Sequence, residues 1–273
     1  MIESLRSKVI SGLFWSVVQS WGTKLFTLLL FMVLARVLGP HELGVFAAAM
    51  VVLAFVGIFV DQGLSEAIVQ RAQITVQQLN TVFLINFVLA LLIVVLLWFI
   101  APLIAGYLKI AELTAILRVA SFGVLVSATC FSQQAMNKRN FRYRWLAICA
   151  LVSTLVGGAV AVFFALRGLG VWSMVIQGLS TSVVSALMLW IKSQWRFSFD
   201  FDFTGVRGLF SYGLNRLASS VLDFANTRYI EIFLAAALGP VALGLYSVGV
   251  RVYQALMQAL SASILDVALN GFS

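Results

Sequence analysis

The stretch LARVLGPHELGVFAAAM, residues 34–50, returns as LAAALGPVALGLYSVGV at residues 234–250, with the core Leu-Gly-Pro-x-x-Leu-Gly displaced by 200 positions (Gly39 to Gly239). Gly39 and Gly239 supply the left-handed residue that ends a helix. Pro40 and Pro240 suit the first turn of the next, where no backbone donor is needed. Each copy therefore reads as a sharp hairpin between two helices. Working backwards, GLFWSVVQSWGTKLF from Gly12 resembles GLFSYGLNRLASSVLDF from Gly208, a displacement of 196. The chain carries an internal repeat whose unit is about six helices long.

Composition says where those helices sit. Hydrophobic residues make up 62% of the 273-residue chain and charged residues 10%, with a mean hydropathy of +1.04. That leaves too little polar surface to coat a soluble particle, so this is an integral membrane protein. A bilayer core of roughly 30 Å needs about 20 apolar residues per helix. Eight crossings fit, at Ser11 to Val37, Leu43 to Val60, Thr81 to Ala105, Leu113 to Ser132, Trp145 to Leu166, Val171 to Ile191, Gly208 to Ala237 and Val241 to Leu269. The predicted fold is all-α and polytopic: residues 1–205 form a six-helix bundle, and residues 206–273 start a second bundle that is incomplete. An even number of crossings per repeat makes the two copies parallel, related by an axis along the membrane normal. The start MIESLRSKVISGLFW is a retained first span rather than a cleaved leader, because the apolar stretch is long and shows no small-residue cleavage site.

Lysine and arginine set the orientation, since positive loops stay on the cytoplasmic side. With the N-terminus inside, inner segments hold Arg6, Lys8, Arg71, Lys138, Arg139, Arg142, Arg144, Lys192, Arg196 and Arg207, and outer ones hold Arg36, Lys109, Arg118 and Arg167. The net charge of +8 is concentrated in NKRNFRYRW, a short loop between two spans. That setting points to a topology anchor against membrane lipids rather than to nucleic acid.

Catalytic and metal chemistry find no footing. His41 lies in an outer turn, Cys130 and Cys149 lie inside helices without ligand spacing, and LRGLGVWS neither follows a strand nor ends in Gly-Lys-Ser. The expectation is no enzyme, no cofactor and no metal. Trp15, Trp98, Trp145, Trp172, Trp190 and Trp195 fall near helix ends, as interfacial belts do. Gly157 and Gly158 read as permitting close helix packing.

The run from Gly12 to Met50, then FVDQGLSEAIVQR, QQAMNKRNFRYR, GVWSMVIQGL and ALGPVALGLYSVGVRV, resembles the Wzx-like oligosaccharide flippases of the polysaccharide biosynthesis family, within the multidrug/oligosaccharidyl-lipid/polysaccharide exporter superfamily. The likeness covers the chain nearly end to end. It implies a fold of twelve or more helices in two bundles around a central cavity. It also implies alternating-access movement of an undecaprenyl-pyrophosphate-linked oligosaccharide across the bacterial inner membrane. Other membrane proteins of polysaccharide assembly are implied partners. On that reading the chain is a piece of a transporter at least about 130 residues longer, four helices at roughly 20 residues each plus loops.

The residues offer places for an anion. Ser16, Ser20, Lys24 and Thr27 share one face of the first helix, and Arg216, Ser220, Asp223 and Thr227 share the matching face of the seventh. Arg251, Gln254, Gln258 and Ser261 mark a face of the eighth. The predicted substrate-binding set is Lys24, Ser20, Arg216, Ser220, Asp223, Arg251 and Gln254. Lys24 is the most telling, because a lysine facing lipid at mid-depth costs about 2.5 to 3.5 kcal/mol. It faces a cavity or pairs with a carboxylate such as Asp223. Arg228 and Glu231 read as a helix-surface ion pair, and Asp61 as a boundary residue rather than an ion site. Two other classes stay in view. A cation-coupled drug exporter of the same superfamily is disfavoured by the basic balance inside the spans, and a membrane enzyme of the pathway by the short outer segments.

Overall fold

A computed structural model describes the backbone of residues 2–61, 68, 74–193 and 195–271, and the side chains of 11–12, 14–60, 68, 74–193, 195–202, 217–254 and 257. The chain folds into α1 (Ile2–Val37), α2 (Pro40–Asp61), α3 (Val76–Leu108), α4 (Leu113–Arg139), α5 (Tyr143–Leu166), α6 (Trp172–Ile191), α7 (Phe203–Ala237) and α8 (Gly239–Gly271). Among the described residues, α1 to α6 each hold a stretch long and apolar enough to cross a membrane. Their outward faces are greasy, with Phe99 73% and Ile191 78% exposed. In water that exposure would be a liability; against lipid it is the expected surface.

Both Leu-Gly-Pro hairpins form as read. Gly39 and Gly239 take φ of 74° and 81°, and the next helix starts at or beside the proline. The repeat has a second role that spacing could not reveal. α2 packs along α8, and a Cβ at Gly44 would run into the carbonyl of Pro240, while one at Gly244 would run into the carbonyl of Pro40 and come within 2.9 Å of the Gly44 nitrogen. The last glycine of each motif thus lies against the proline of the other. Only glycine lets two backbones approach so closely.

α5 is packed between α1 and α6. Successive glycines serve the two neighbours. A Cβ at Gly157 would meet the Gln177 carbonyl oxygen of α6 at 3.0 Å, and one at Gly158 would meet Phe26 and Leu30 of α1 at 2.8 and 3.0 Å. The reading of both as close-packing residues holds.

Helix boundaries differ from the sequence reading most at α1, α3, α4 and α7, the last of which starts at Phe203 rather than Gly208. α3 begins five residues before Thr81, where Thr75 and Gln78 close a capping box. α1 extends back to Ile2. α4 runs past Ser132 to Arg139, so Lys138 and Arg139 belong to its last turn and not to a loop. The reason is polar packing inside the protein. Gln133 donates to the Trp195 carbonyl at 3.2 Å and accepts from Ser193 at 2.8 Å, while Asn137 donates to the Gln133 carbonyl. The α6–α7 connection is in turn strapped along the start of α3. Asn80 donates to Ser198 and to the Asp200 carbonyl, and Gln77 and Gln78 donate to Asp200 and Asp202. Trp195 is consequently no belt residue: it is 5% exposed and donates from Nε1 to Asn80 at 2.9 Å. Trp145, Trp172 and Trp190 do sit at helix ends, whereas Trp15 lies 13 residues into α1 and Trp98 ten residues before the end of α3; Arg144, Arg118 and Lys192 lie over the rings of Trp15, Trp98 and Trp145 respectively.

Candidate functional site

A cavity of about 700 Å³ lies among α1 to α6, with Arg251 of α8 on its wall. α2 lines it along most of its length, from Phe46 through Met50, Leu53 and Gly57 to Val60. α4 contributes Ala120, Gly123, Ser127, Phe131, Gln134 and Lys138, spaced by three, four, four, three and four residues, which is one continuous helical face. α1 adds Thr27, Leu30, Phe31 and Leu34, and α6 adds Gln177, Thr181 and Ser182.

Two charged side chains line this cavity among the described residues, Lys138 and Arg251, and both are cations. Arg251 is 12 residues into α8 from Gly239, hence about 18 Å deep at 1.5 Å per residue. Its guanidinium carbon lies 3.9 Å from the centre of the Phe31 ring. Such a contact is worth on the order of 0.5 to 2 kcal/mol and holds the cation without consuming its hydrogen-bond donors. Glu231 and Arg228, themselves paired at 2.7 Å as the i,i+3 spacing suggested, act on Arg251 electrostatically from α7. Asn86, fully buried on α3, donates to the Ala128 carbonyl while its own Oδ1 has no partner.

The predicted site residues divide. Arg251 and Thr27 line the cavity together. Ser16 and Ser20 line a smaller chamber of about 390 Å³, which meets the cavity at Gln134 and Lys138. Lys24 is exposed and lines neither; it stands seven residues before Phe31, on the helix face that Phe31 turns toward Arg251. On α7, Ser220 is half-buried and Asp223 exposed, and the Thr227 hydroxyl is spent on the Asp223 carbonyl at 2.7 Å. The Lys24–Asp223 pair is absent among the described residues, and Arg228–Glu231 is the ion pair present there. Gln254 is exposed. The side chains of Arg216, Gln258, Ser261, Asp266 and Asp61 lie outside the described residues.

Sequence reading missed Gln134, Lys138, Asn86 and Gln177. The signal for the first two was available, since Ser127, Gln134 and Lys138 recur at i, i+7 and i+11, but a hydropathy-based boundary at Ser132 hid it.

The family model described as "Polysaccharide biosynthesis protein" matches residues 33–273. The chain is 24% identical over its whole length to the succinoglycan biosynthesis transport protein ExoT of Rhizobium meliloti, covering 55% of that protein. It is 23% identical over 92% of its length to the teichuronic acid biosynthesis protein TuaB of Bacillus subtilis, covering 52% of it. Over 91% of its length it is 24% identical to the lipopolysaccharide biosynthesis protein WzxC of Escherichia coli, covering 51% of it. The chain thus spans about half the length of the curated relatives it matches. No solved structure matches it. The apolar helices and these bacterial relatives mark a multi-pass bacterial membrane protein.

Proposed function

We propose, because the chain belongs to the polysaccharide biosynthesis protein family, that it supplies the first bundle and the opening helices of the second in a transporter that flips lipid-linked oligosaccharide across the bacterial inner membrane. The observation that carries this reading is the charge of the cavity. Two cations line it and no carboxylate does among the described residues, so an anion is stabilised there and a cationic drug is repelled. A pyrophosphate joined to a glycan suits such a wall. Charge-assisted hydrogen bonds to phosphate oxygens are worth roughly 1.5 to 3 kcal/mol each, more than a neutral pair. The hydroxyls and amides of Thr27, Gln134, Gln177, Thr181 and Ser182 offer partners to a polar glycan.

The α2–α8 seam supports the alternating-access part of this reading. Residues 1–205 act as one body and 206 onward as the other, and the glycine contacts close the end at which the two hairpins lie. With the N-terminus in the cytoplasm, the orientation that the positive residues favour, the closed end is the outer one. The carrier would enter from the inner leaflet, its pyrophosphate moving toward Arg251.

The test is made in the full-length transporter in cells lacking it. Arg251→Ala and Lys138→Ala should each lower surface display of the glycan about tenfold or more while lipid-linked oligosaccharide accumulates, with the protein still inserted. Resistance to cationic drugs that depended on Arg251, with normal glycan display in the variant, would favour the drug-exporter reading instead.

A further inference from the structure

The smaller chamber is a built site, and the flipping reaction alone does not account for it. It sits toward the end of the bundle where α5 begins and α4 and α6 finish, lined by Ser16, Gln19, Ser20 and Thr23 from the middle of α1, Gln134 and Lys138 of α4, Tyr143 and Cys149 of α5, and Ser185 of α6. Thr23 spends its hydroxyl on the Gln19 carbonyl at 2.6 Å. The side chains of Ser16, Gln19, Ser20, Gln134, Lys138 and Ser185 make no hydrogen bond or ion pair among the described residues. Six unspent polar side chains from three helices are not a packing void, because voids in protein interiors are apolar. Ser16, Gln134 and Lys138 are exposed and Gln19, Ser20 and Ser185 half-buried, so the chamber is open at this end and its polar groups are met by water or by a ligand. Three hydroxyls and two amides offer paired donors and acceptors to a polyol, one ammonium offers a single positive charge, and no carboxylate lines the chamber among the described residues. The volume falls in the range of small-ligand sites.

We propose that this chamber is a carbohydrate subsite for one anionic sugar unit, its hydroxyls on Gln19, Ser20, Gln134 and Ser185 and its negative charge on Lys138. The proposal rests on the transport reading and gives that reading a place for the sugar apart from the Arg251 wall. The charge could come from a carboxylate on the sugar itself or from the phosphate that joins it to the lipid carrier. Lys138 and Gln134, one turn apart on α4, line both spaces and form the doorway between them.

Binding of D-glucuronate, glucose 1-phosphate and D-glucose to the full-length transporter purified in detergent tests this. One of the two anionic sugars should bind at least tenfold more tightly than glucose, and which one does so identifies the source of the charge. Lys138→Gln should erase that preference, Gln19→Leu with Ser185→Leu should abolish binding, and Gly249→Ala, at a position that lines neither space, should leave it unchanged. Gln19→Glu, which keeps the shape, should weaken the anionic sugar selectively and so controls for misfolding. Equal binding of glucose, binding lost in Arg251→Ala but kept in the Gln19/Ser185 double variant, or no saturable binding of any of the three would overturn the subsite. None of these readouts requires flipping, so failure of the transport reading would appear separately, as normal glycan display without Arg251.

Discussion

Adding one methyl group at Gly44 puts the seam between α2 and α8 to the test. In Gly44→Ala the new Cβ meets the backbone of Pro240, including its Cα at 2.9 Å, and backbone cannot swing aside as a flexible side chain can. Closing the seam over that methyl therefore requires the two helices to move apart. Overpacking of this kind costs roughly 1 to 3 kcal/mol. If the seam is closed in one state of the transporter and open in the other, the whole cost falls on the closed state, and the ratio of closed to open drops roughly 5- to 150-fold. Gly244→Ala strikes the Pro40 carbonyl from the other side and should do the same. The double variant should cost less than the sum, since helices already parted by one methyl accommodate the second. Gly249→Ala on α8 has nothing within 4 Å of the new Cβ and serves as the control for a simple change in helix propensity.

Spin labels at His41→Cys and Val241→Cys, both exposed positions one residue past the two prolines, report the separation by pulsed electron spin resonance. Cys130 and Cys149, both free and buried, would be replaced first. The wild type should show a dominant short distance. Gly44→Ala should show a second, longer population, while Gly249→Ala should match the wild type. An unchanged distance distribution in Gly44→Ala, accompanied only by a lower melting temperature, would refute the idea that this seam opens.

Three other substitutions and labels bear on the remaining claims. Lys24→Ala in the full-length transporter should impair glycan export without loss of insertion, since it removes a mid-membrane cation on the face shared with Phe31; normal surface display would take Lys24 out of the path. A cysteine at position 40 should react with an impermeant reagent from outside intact cells and one at position 140 should not, and the reverse pattern would invert the topology. Asn80→Ala deprives Trp195 Nε1 of its acceptor and Ser198 of its donor. It should cost roughly 1 to 3 kcal/mol, read as a lower thermal midpoint in detergent, with an unchanged midpoint arguing that the strap does not stabilise the fold.

How far the sequence could be read depends on which partner each residue meets. Helix number and the two hairpins were legible because lipid imposes one rule on every span, and because glycine and proline act on their own backbone. Helix ends were not legible where polar residues pack inside the protein, as Gln133 and Asn137 do, since hydropathy treats a residue buried against polar neighbours and one in water alike. The stripe on α1 shows the limit most directly. At 100° per residue, Thr27 lies roughly 20° and Lys24 roughly 80° around the axis from Ser16, so the three share a face by any sequence criterion. Yet Ser16 opens into the smaller chamber, Thr27 into the large cavity, and Lys24 into neither. Two spaces abut the same helix along its length, divided by Gln134 and Lys138 of α4. Periodicity assigns a residue to a side of its own helix, while the neighbouring helix decides which ligand that side can touch.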